Sequence, residues 1–455
     1  MARYFPHTGE EVRQMLEVLG SSRVEELFSD IPEDIRSTAS LNLSSGLAEY
    51  RVEKELSRLS EMNRTGKVCF LGCGAYDHVI PAVVSALASR GEYLTSYTPY
   101  QPEISQGVLQ TIFEFQTMMA ELTGLEVSNA SLYDGATAAA EAAVMALNSS
   151  AKADTILYSE GLHPAIKQVL ATFFYDQPVK LEELPVQAGL VDLKALSSRL
   201  DETVAGVLIQ SPNIYGLIEP IRDISGLAHE AGALSLVSAN PLSLGLLTPP
   251  GEQGADIAVG DTQPLGLPLN YGGPSAGFIA ATKPLLRKLP GRIVGETVDT
   301  RGRRAYVLTL QAREQHIKRQ RATSNICSNQ ALAAVMNTVY LAAVGPEGLK
   351  EAALQSSAKA RYLARKLKEI LGAGIVGGES FFNEFTLDLP CPAAEFNRFM
   401  GEQGFLAGVD LKKLQTGTPG NLLTVAVTEK RTLEELDRYV AEAAAFMHHR
   451  EGKRG

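Results

Sequence analysis

The sequence contains no tryptophan and only four cysteines, Cys69, Cys73, Cys327 and Cys391, among 455 residues. So few thiols, so widely spread, exclude a disulfide-built secreted scaffold and point to reduced thiols in a cytoplasmic protein. Cys69 and Cys73 lie four apart, but no second cysteine or histidine pair completes a ligand spacing, and no metal is expected. Nowhere is there a run near the ~18–20 unbroken apolar residues of a membrane helix. The stretch from Met1 to His7 lacks the apolar core of a signal peptide. Basic residues are outnumbered, 42 Lys and Arg against 52 Asp and Glu, for a net charge of −10. That balance speaks against a nucleic-acid partner. With 45% apolar and 21% charged residues, the chain has ample material for a large core, so disorder is excluded.

What is present is alternation. Apolar runs at Thr155–Tyr158, Val204–Gln210, Ala233–Val237, Ile257–Val259 and Ala276–Ala281 read as strands, with helices at Pro164–Thr172 and Ile221–Ala231 between them. Strands separated by helices imply a mostly parallel α/β sheet covered on both faces. Capping boxes open the N-terminal part, Thr8 with Glu11 and Ser22 with Glu25. A long helix is expected from about residue 105 to Gly124, and an Ala-rich one from Ala136 to Leu147 that suits close packing. After Gly345-Pro346 an amphipathic helix runs to Leu371. Strands near Ile375–Val376, Glu384–Leu389 and Leu422–Val427 follow, with helices at Ala393–Gln403 and from the Thr432/Glu435 box to His448. The expected organisation is a helical arm (1–80), a large α/β domain (81–344), a small α+β domain (345–448) and a frayed tail (449–455).

Read alone, most short motifs stay open. Gly72-Cys73-Gly74 lacks the third glycine of a dinucleotide loop and reads as a turn. Asp134-Gly135-Ala136-Thr137 joins a polar loop to a helix start and suits a phosphate cradle or an ordinary N-cap equally. His163-Pro164 follows a strand, placed to stack on a ring or to cap a helix. His78 and His229 have no carboxylate at a suggestive spacing, and there is no Ser-His-Asp set. The basic clusters Arg301–Arg304 and Lys318–Arg321 read most plainly as solvated or ion-paired faces. Gly272-Gly273-Pro274 and Arg321–Asn325 read as tight polar turns.

In combination, these parts resemble the fold-type-I pyridoxal-phosphate (PLP) enzymes, with Gln210-Ser211-Pro212-Asn213-Ile214-Tyr215-Gly216 matching their P-N-x-x-G signature. Longer matches are to the glycine cleavage system P-proteins. They include Tyr97-Thr98-Pro99-Tyr100-Gln101-Pro102-Glu103, Gln116-Thr117-Met118, Asn129-Ala130-Ser131-Leu132, Pro249-Pro250-Gly251, Gly254-Ala255-Asp256-Ile257 and Ala322-Thr323-Ser324-Asn325-Ile326-Cys327, with Phe5-Pro6-His7 at the start. The resemblance spans nearly the whole chain. It implies an α/β, fold-type-I PLP-transferase-like protein with a large mostly parallel sheet and a small C-terminal α+β domain. It implies the first of the two subunits into which this family's protein is split in many bacteria and archaea, paired with the second in an α2β2 heterotetramer. The implied reaction decarboxylates glycine and passes the aminomethyl group to the lipoyl disulfide of H-protein, which is reduced.

Two residues depart from that pattern. The family's catalytic half carries an H-K-T-F-x-x-P segment before a glycine-rich loop. Here the stretch reads Thr262-Gln263-Pro264-Leu265-Gly266-Leu267-Pro268, which sets Gln263 where the lysine belongs, and no lysine occurs from Ala195 to Thr282. An amide cannot form an imine. Asn240 stands near the expected position of the aspartate that pairs with the pyridine nitrogen. The resemblance therefore implies that PLP is bound by the partner subunit. This chain would keep a vestigial phosphate loop, Asp134, Gly135, Ala136 and Thr137, and would lend pocket or interface residues: Tyr97, Thr98, Tyr100 and Gln101, and Thr323, Ser324 and Asn325. Two alternatives remain, an independent PLP enzyme using an out-of-register lysine such as Lys283, and a purely structural scaffold.

Overall fold

The computed structural model describes residues 7–452 apart from 41, 64 and 151. The Phe5-Pro6 part of the N-terminal motif and tail residues 453–455 lie outside the described residues. Two compact bodies are present, Met1–Thr65 and Gly66–Gly455. The first holds helices α1 (Gly9–Val18), α2 (Glu33–Thr38) and α3 (Glu49–Glu61). The first capping box closes as the spacing predicts: the Glu11 N–H donates to Thr8 Oγ1 at 3.3 Å and the Thr8 N–H to Glu11 Oε2 at 2.6 Å. The second box does not close: the N-cap is Arg23, with no side-chain cap, and the Ser22 N–H and hydroxyl both donate to the Glu26 carboxylate, each at 2.8 Å. The helical turn there starts only at Val24, so the glutamate facing back to Ser22 is one residue later.

The second body is built on a seven-stranded sheet: β1 (Val127–Ser128), β2 (Thr155–Ser159), β3 (Lys180–Leu184), β4 (Val204–Ser211), β5 (Leu234–Ala239), β6 (Ile257–Asp261) and β7 (Gly277–Ala281), in the order β1-β7-β6-β5-β4-β2-β3. β2 to β6 run parallel, and β7 lies antiparallel to both β6 and β1. The central strands read as apolar runs because both faces are covered: all of β4 is buried except Gln210. β3 escaped the sequence reading. It is an edge strand, half-exposed and written Lys-Leu-Glu-Glu-Leu, and its polar face needs no apolar residue. The hairpin of β8 (Ile293–Val298) and β9 (Arg304–Thr309) escaped too; Arg301 and Arg303 belong to its turn and bond Asp299.

Helices α4 (Gln106–Thr123), α5 (Gly135–Leu147) and α6 (Pro164–Phe173) cover the sheet. The Ala-rich face of α5 does approach closely: Ala138, Ala139, Ala142, Ala143 and Ala146 are wholly buried, and a Cβ on Gly206 of β4 would stand 3.1 Å from that of Ala146. At its first residue, a Cβ on Gly135 would stand 2.7 Å from the Asp261 N. Gly135→Ala is therefore expected to lower folding stability by about 1–3 kcal/mol through overpacking, read as a reduced denaturant midpoint; an unchanged midpoint would show that the helix end can shift.

Helix α7 (Ala331–Leu371) starts fifteen residues before the expected Pro346, and Gly345 (φ 62°) breaks its course where the sequence placed a boundary. Taken over all 41 residues it is long and apolar enough for a membrane span, yet Ala334, Val335 and Tyr340 are buried in the body, and the Asn337 amide donates to the Thr262 and Leu265 carbonyls. Beyond the break, β10 (Gly374–Ile375), β11 (Glu384–Asp388), β12 (Val409–Asp410) and β13 (Leu422–Ala426) form an antiparallel sheet in the order β10-β11-β13-β12. With α8 (Ala393–Glu402) and α9 (Leu433–Gly452) it encloses Phe70, Phe385, Phe396, Phe405 and Tyr439. α9 continues through Gly452, so residues 449–452, expected in the frayed tail, are helical. Residues 66–80, grouped by sequence with the arm, are also part of this body: Val68–Cys69 pairs in parallel with Phe405–Leu406.

Candidate active site at the carboxyl edge of the sheet

The parallel strands end together at Ser159, Ser211, Ala239 and Asp261. Outside such an edge a doubly wound sheet leaves a crevice. Here it is a cavity of about 300 Å³ whose lining includes Cys73, Gly135, His163, Gln210, Asn240 and Asp261. Gly72-Cys73-Gly74, read as a turn, does turn the chain, and it also roofs the cavity.

The loop expected to cradle phosphate is an N-cap already satisfied by carboxylates. Asp134 Oδ1 accepts from the Thr137 N–H at 2.8 Å and Oδ2 from the Thr137 hydroxyl at 3.2 Å. The Gly135 N–H donates to Asp261 Oδ2 at 3.1 Å. Asp261 also accepts from the Gln263 N–H at 2.9 Å and from the Ser275 hydroxyl. Burial raises its pKa, and these three hydrogen bonds oppose that rise. His163 is both things the sequence left open. Its Nδ1 accepts from the Ala165 N–H at 3.1 Å, capping α6, and its ring borders the cavity. Burial lowers its pKa, so the imidazole stays neutral near pH 7. Asn240 Oδ1 accepts from the Leu242 N–H at 3.0 Å, while its buried Nδ2 has no hydrogen-bond partner.

Gln263 points elsewhere. It accepts from the Tyr76 N–H at 2.9 Å and donates to the Tyr76 and Leu267 carbonyls at 3.0 and 2.9 Å, with 7% of its surface exposed. All its amide functions are engaged, and it ties down the segment over the cavity. Lys283 follows β7, whose end pairs with the start of β6 at Ala281 and Ile257. It therefore lies at the opposite edge of the sheet, which removes it as a stand-in lysine. The residues of this cavity do not fit PLP. They offer no amine, no acid beside a ring nitrogen, and a carboxylate on the N–H that a phosphate would need.

None of the other expected residues lines this cavity. Tyr97 and Tyr100 are 82% and 52% exposed, and Gln101, Thr323 and Asn325 are exposed as well. Behind them lies Arg292, which no motif had marked. It donates to the Tyr100 hydroxyl at 2.8 Å and reaches Thr98 Oγ1, Ser328 Oγ and Asn329 Oδ1 at 3.5, 3.3 and 3.4 Å. Ser324 donates to Glu141 Oε1 at 2.7 Å; burial lifts that carboxyl to about 7 against this bond. The sequence held no signal for Arg292 beyond its following Pro290-Gly291, and none for Asp261 beyond standing two residues before Gln263. The fold also supplies carboxylates that spacing denied to two histidines: Glu429 lies 2.7 Å from His78 Nδ1, and Asp256 lies 2.8 Å from His229 Nε2.

Residues 2–442 match the family described as glycine cleavage system P-protein. A protein of Moorella thermoacetica, "Probable glycine dehydrogenase (decarboxylating) subunit 1", is 52% identical over 438 residues, covering 96% of this chain and 98% of its own length. The same-named protein of Halalkalibacterium halodurans is 48% identical over 446 residues, covering 98% of this chain and 99% of its own. The crystal structure of a glycine decarboxylase (P-protein) of the glycine cleavage system, in inhibitor-bound form, superposes with a TM-score of 0.90 at 46% identity, covering 98% of this chain and 100% of that one. A sphingosine-1-phosphate lyase of Burkholderia pseudomallei, at 15% identity and a TM-score of 0.65 over 90% of this chain and 93% of its own, shares the fold-type-I architecture alone.

Proposed function

The chain belongs to the glycine cleavage system P-protein family and stands with the first subunits of glycine dehydrogenase (decarboxylating); from that premise we propose that it completes a PLP site whose cofactor is carried by the second subunit. The reaction served is glycine decarboxylation with aminomethyl transfer to the lipoyl group of H-protein, in a cytoplasmic α2β2 assembly. The observation that carries this reading is the closed cradle: Asp261 holds the Gly135 N–H, and Gln263 is locked onto Tyr76. A chain so arranged contributes by shaping a neighbouring site. The exposed Tyr97, Tyr100 and Gln101 and the half-buried Thr98 are the residues to close over glycine or the lipoyl arm, with Thr323, Ser324 and Asn325 at the subunit boundary.

The test starts with the chain alone, incubated with PLP, reduced with borohydride and mapped by mass spectrometry. No lysine is expected to carry stoichiometric label, and glycine decarboxylation is expected only after a lysine-bearing second subunit is added. Stoichiometric label on one lysine of this chain would refute the reading. In the assembled enzyme Tyr97→Phe and Tyr100→Phe are each expected to lower kcat/KM for glycine about ten-fold, the loss of about 1.4 kcal/mol of binding. Reduced assembly with unchanged turnover would favour a scaffold.

A further inference from the structure

We propose that Arg292 is a positioning residue that holds the Tyr97–Gln101 loop in its binding-competent arrangement; this rests on the reading that the loop completes the glycine site. Arg292 precedes β8, immediately after Gly291 at φ 71°, and is 2% exposed. A guanidinium taken out of water is costly unless a carboxylate meets it in good geometry. None does: Nε has no hydrogen-bond partner, and the nearest carboxylate oxygen, Glu314 Oε2, stands 4.0 Å away. The donors are turned on the loop instead. One Nη bonds the Tyr100 hydroxyl, the guanidinium carbon lies 4.9 Å from the same ring's centroid, and the other Nη faces Thr98, Ser328 and Asn329. Cation–ring attraction and a hydrogen bond to the ring's own hydroxyl fix both the plane and the tip of Tyr100.

The anchor is itself anchored. Asn329 donates to the Ala130 carbonyl at 3.2 Å and to Ser131 Oγ at 3.1 Å, just after β1. Arg292 thus spans from the rigid edge of the sheet to a half-exposed loop, and it joins the Thr98–Tyr100 stretch to the one that follows Thr323–Asn325. A loop released from it would sample other positions. Its apparent affinity for glycine would fall by the fraction of time spent out of place, while turnover of bound glycine would persist.

The experiment uses the enzyme assembled from this chain and its lysine-bearing partner. Arg292→Lys keeps the charge and loses the planar fork. It is expected to raise KM for glycine about ten-fold with kcat within about two-fold, at unchanged assembly by sedimentation. Combined with Tyr100→Phe, it is expected to raise KM no further than the worse single variant, because both act on one contact. Hydrogen exchange supplies a second readout: amides of residues 97–101 should exchange about ten-fold faster in the variant, with those of β4 unchanged. Equal acceleration in β4, multiplicative KM effects, or a kcat loss at constant KM would overturn the inference. If Arg292→Lys fails to fold, the same readouts apply to Arg292→Gln. Should Tyr100→Phe alone leave both kinetic constants unchanged, the underlying reading of the loop fails instead.

Discussion

Replacing Gln263 by lysine yields a chain that forms no adduct with PLP and unfolds several degrees below the parent. By the resemblance, position 263 is where a self-sufficient enzyme would carry its lysine, so restoring the amine is the natural repair. The structure argues against it on two counts. First, the side chain does not enter the cavity; it bridges the Tyr76 N–H and carbonyl and the Leu267 carbonyl. A lysine can donate but not accept, which leaves the Tyr76 N–H buried and unpaired, at about 1–3 kcal/mol. The ammonium would also have to be held where 7% of the glutamine is exposed, adding desolvation. Second, the Asp261 carboxylate occupies the Gly135 N–H, and Asp134 the Thr137 N–H. A phosphate brought there would meet two acceptors of its own sign. Calorimetry and borohydride labelling read the two effects separately. A labelled residue 263 with undiminished stability would mean that the segment around Tyr76 swings open at little cost.

The thermal stability of the parent falls from pH 5 to pH 8 more steeply than that of Glu384→Gln. Glu384 belongs to β11, is almost wholly buried, and accepts from the Cys73 N–H at 2.6 Å and the Tyr76 hydroxyl at 3.1 Å. Burial lifts its pKa from 4.5 to about 7, against the pull of those donors. The unfolded chain therefore releases this proton first. Between the two values the folded state holds more protons, so the stabilisation present below about pH 4.5 is lost as pH rises through about 7. At ~1.4 kcal/mol per pH unit the displacement corresponds to about 3 kcal/mol. A glutamine keeps an acceptor for Cys73 and gains a donor toward Tyr76 with no charge to bury. Glu141 and Glu219, also lifted to about 7 by burial, leave a residual slope in the variant. Superimposable pH profiles would show that the Glu384 carboxylate reaches water. The same contact explains Gly72, where a Cβ would stand 2.1 Å from Glu384 Oε1. The Gly72–Tyr76 segment that roofs the cavity is thus held from two sides, by Glu384 and by Gln263.

Local pattern decided much of this protein before any folding. The buried strands β4 to β6 are apolar runs because both of their faces are covered, and the helices between them repeat at 3.6 residues, so α/β alternation is written in hydrophobicity alone. The Thr8/Glu11 box is encoded within four residues and formed as expected, and the Asp134 loop took the N-cap, one of the two forms its residues suit. The absence of any lysine from Ala195 to Thr282 is a matter of residue identity and needed no structure. Where an element owed its existence to position rather than pattern, the reading failed: β3 is polar because it is an edge, and the hairpin of β8 and β9 carries its arginines in its turn. The chemistry of the candidate sites lies further out of local reach. Arg292 meets Tyr100 across 192 residues, Asp261 meets Gly135 across 126, and Glu429 meets His78 across 351. Periodicity carries no information over such separations, since a charge chooses its partner only after the sheet has brought distant strand ends to one edge. The sequence by itself determined the architecture and that a glutamine, not a lysine, stands at position 263. Only the tertiary structure decided that an internal carboxylate had closed the cradle and that a buried guanidinium holds the exposed loop.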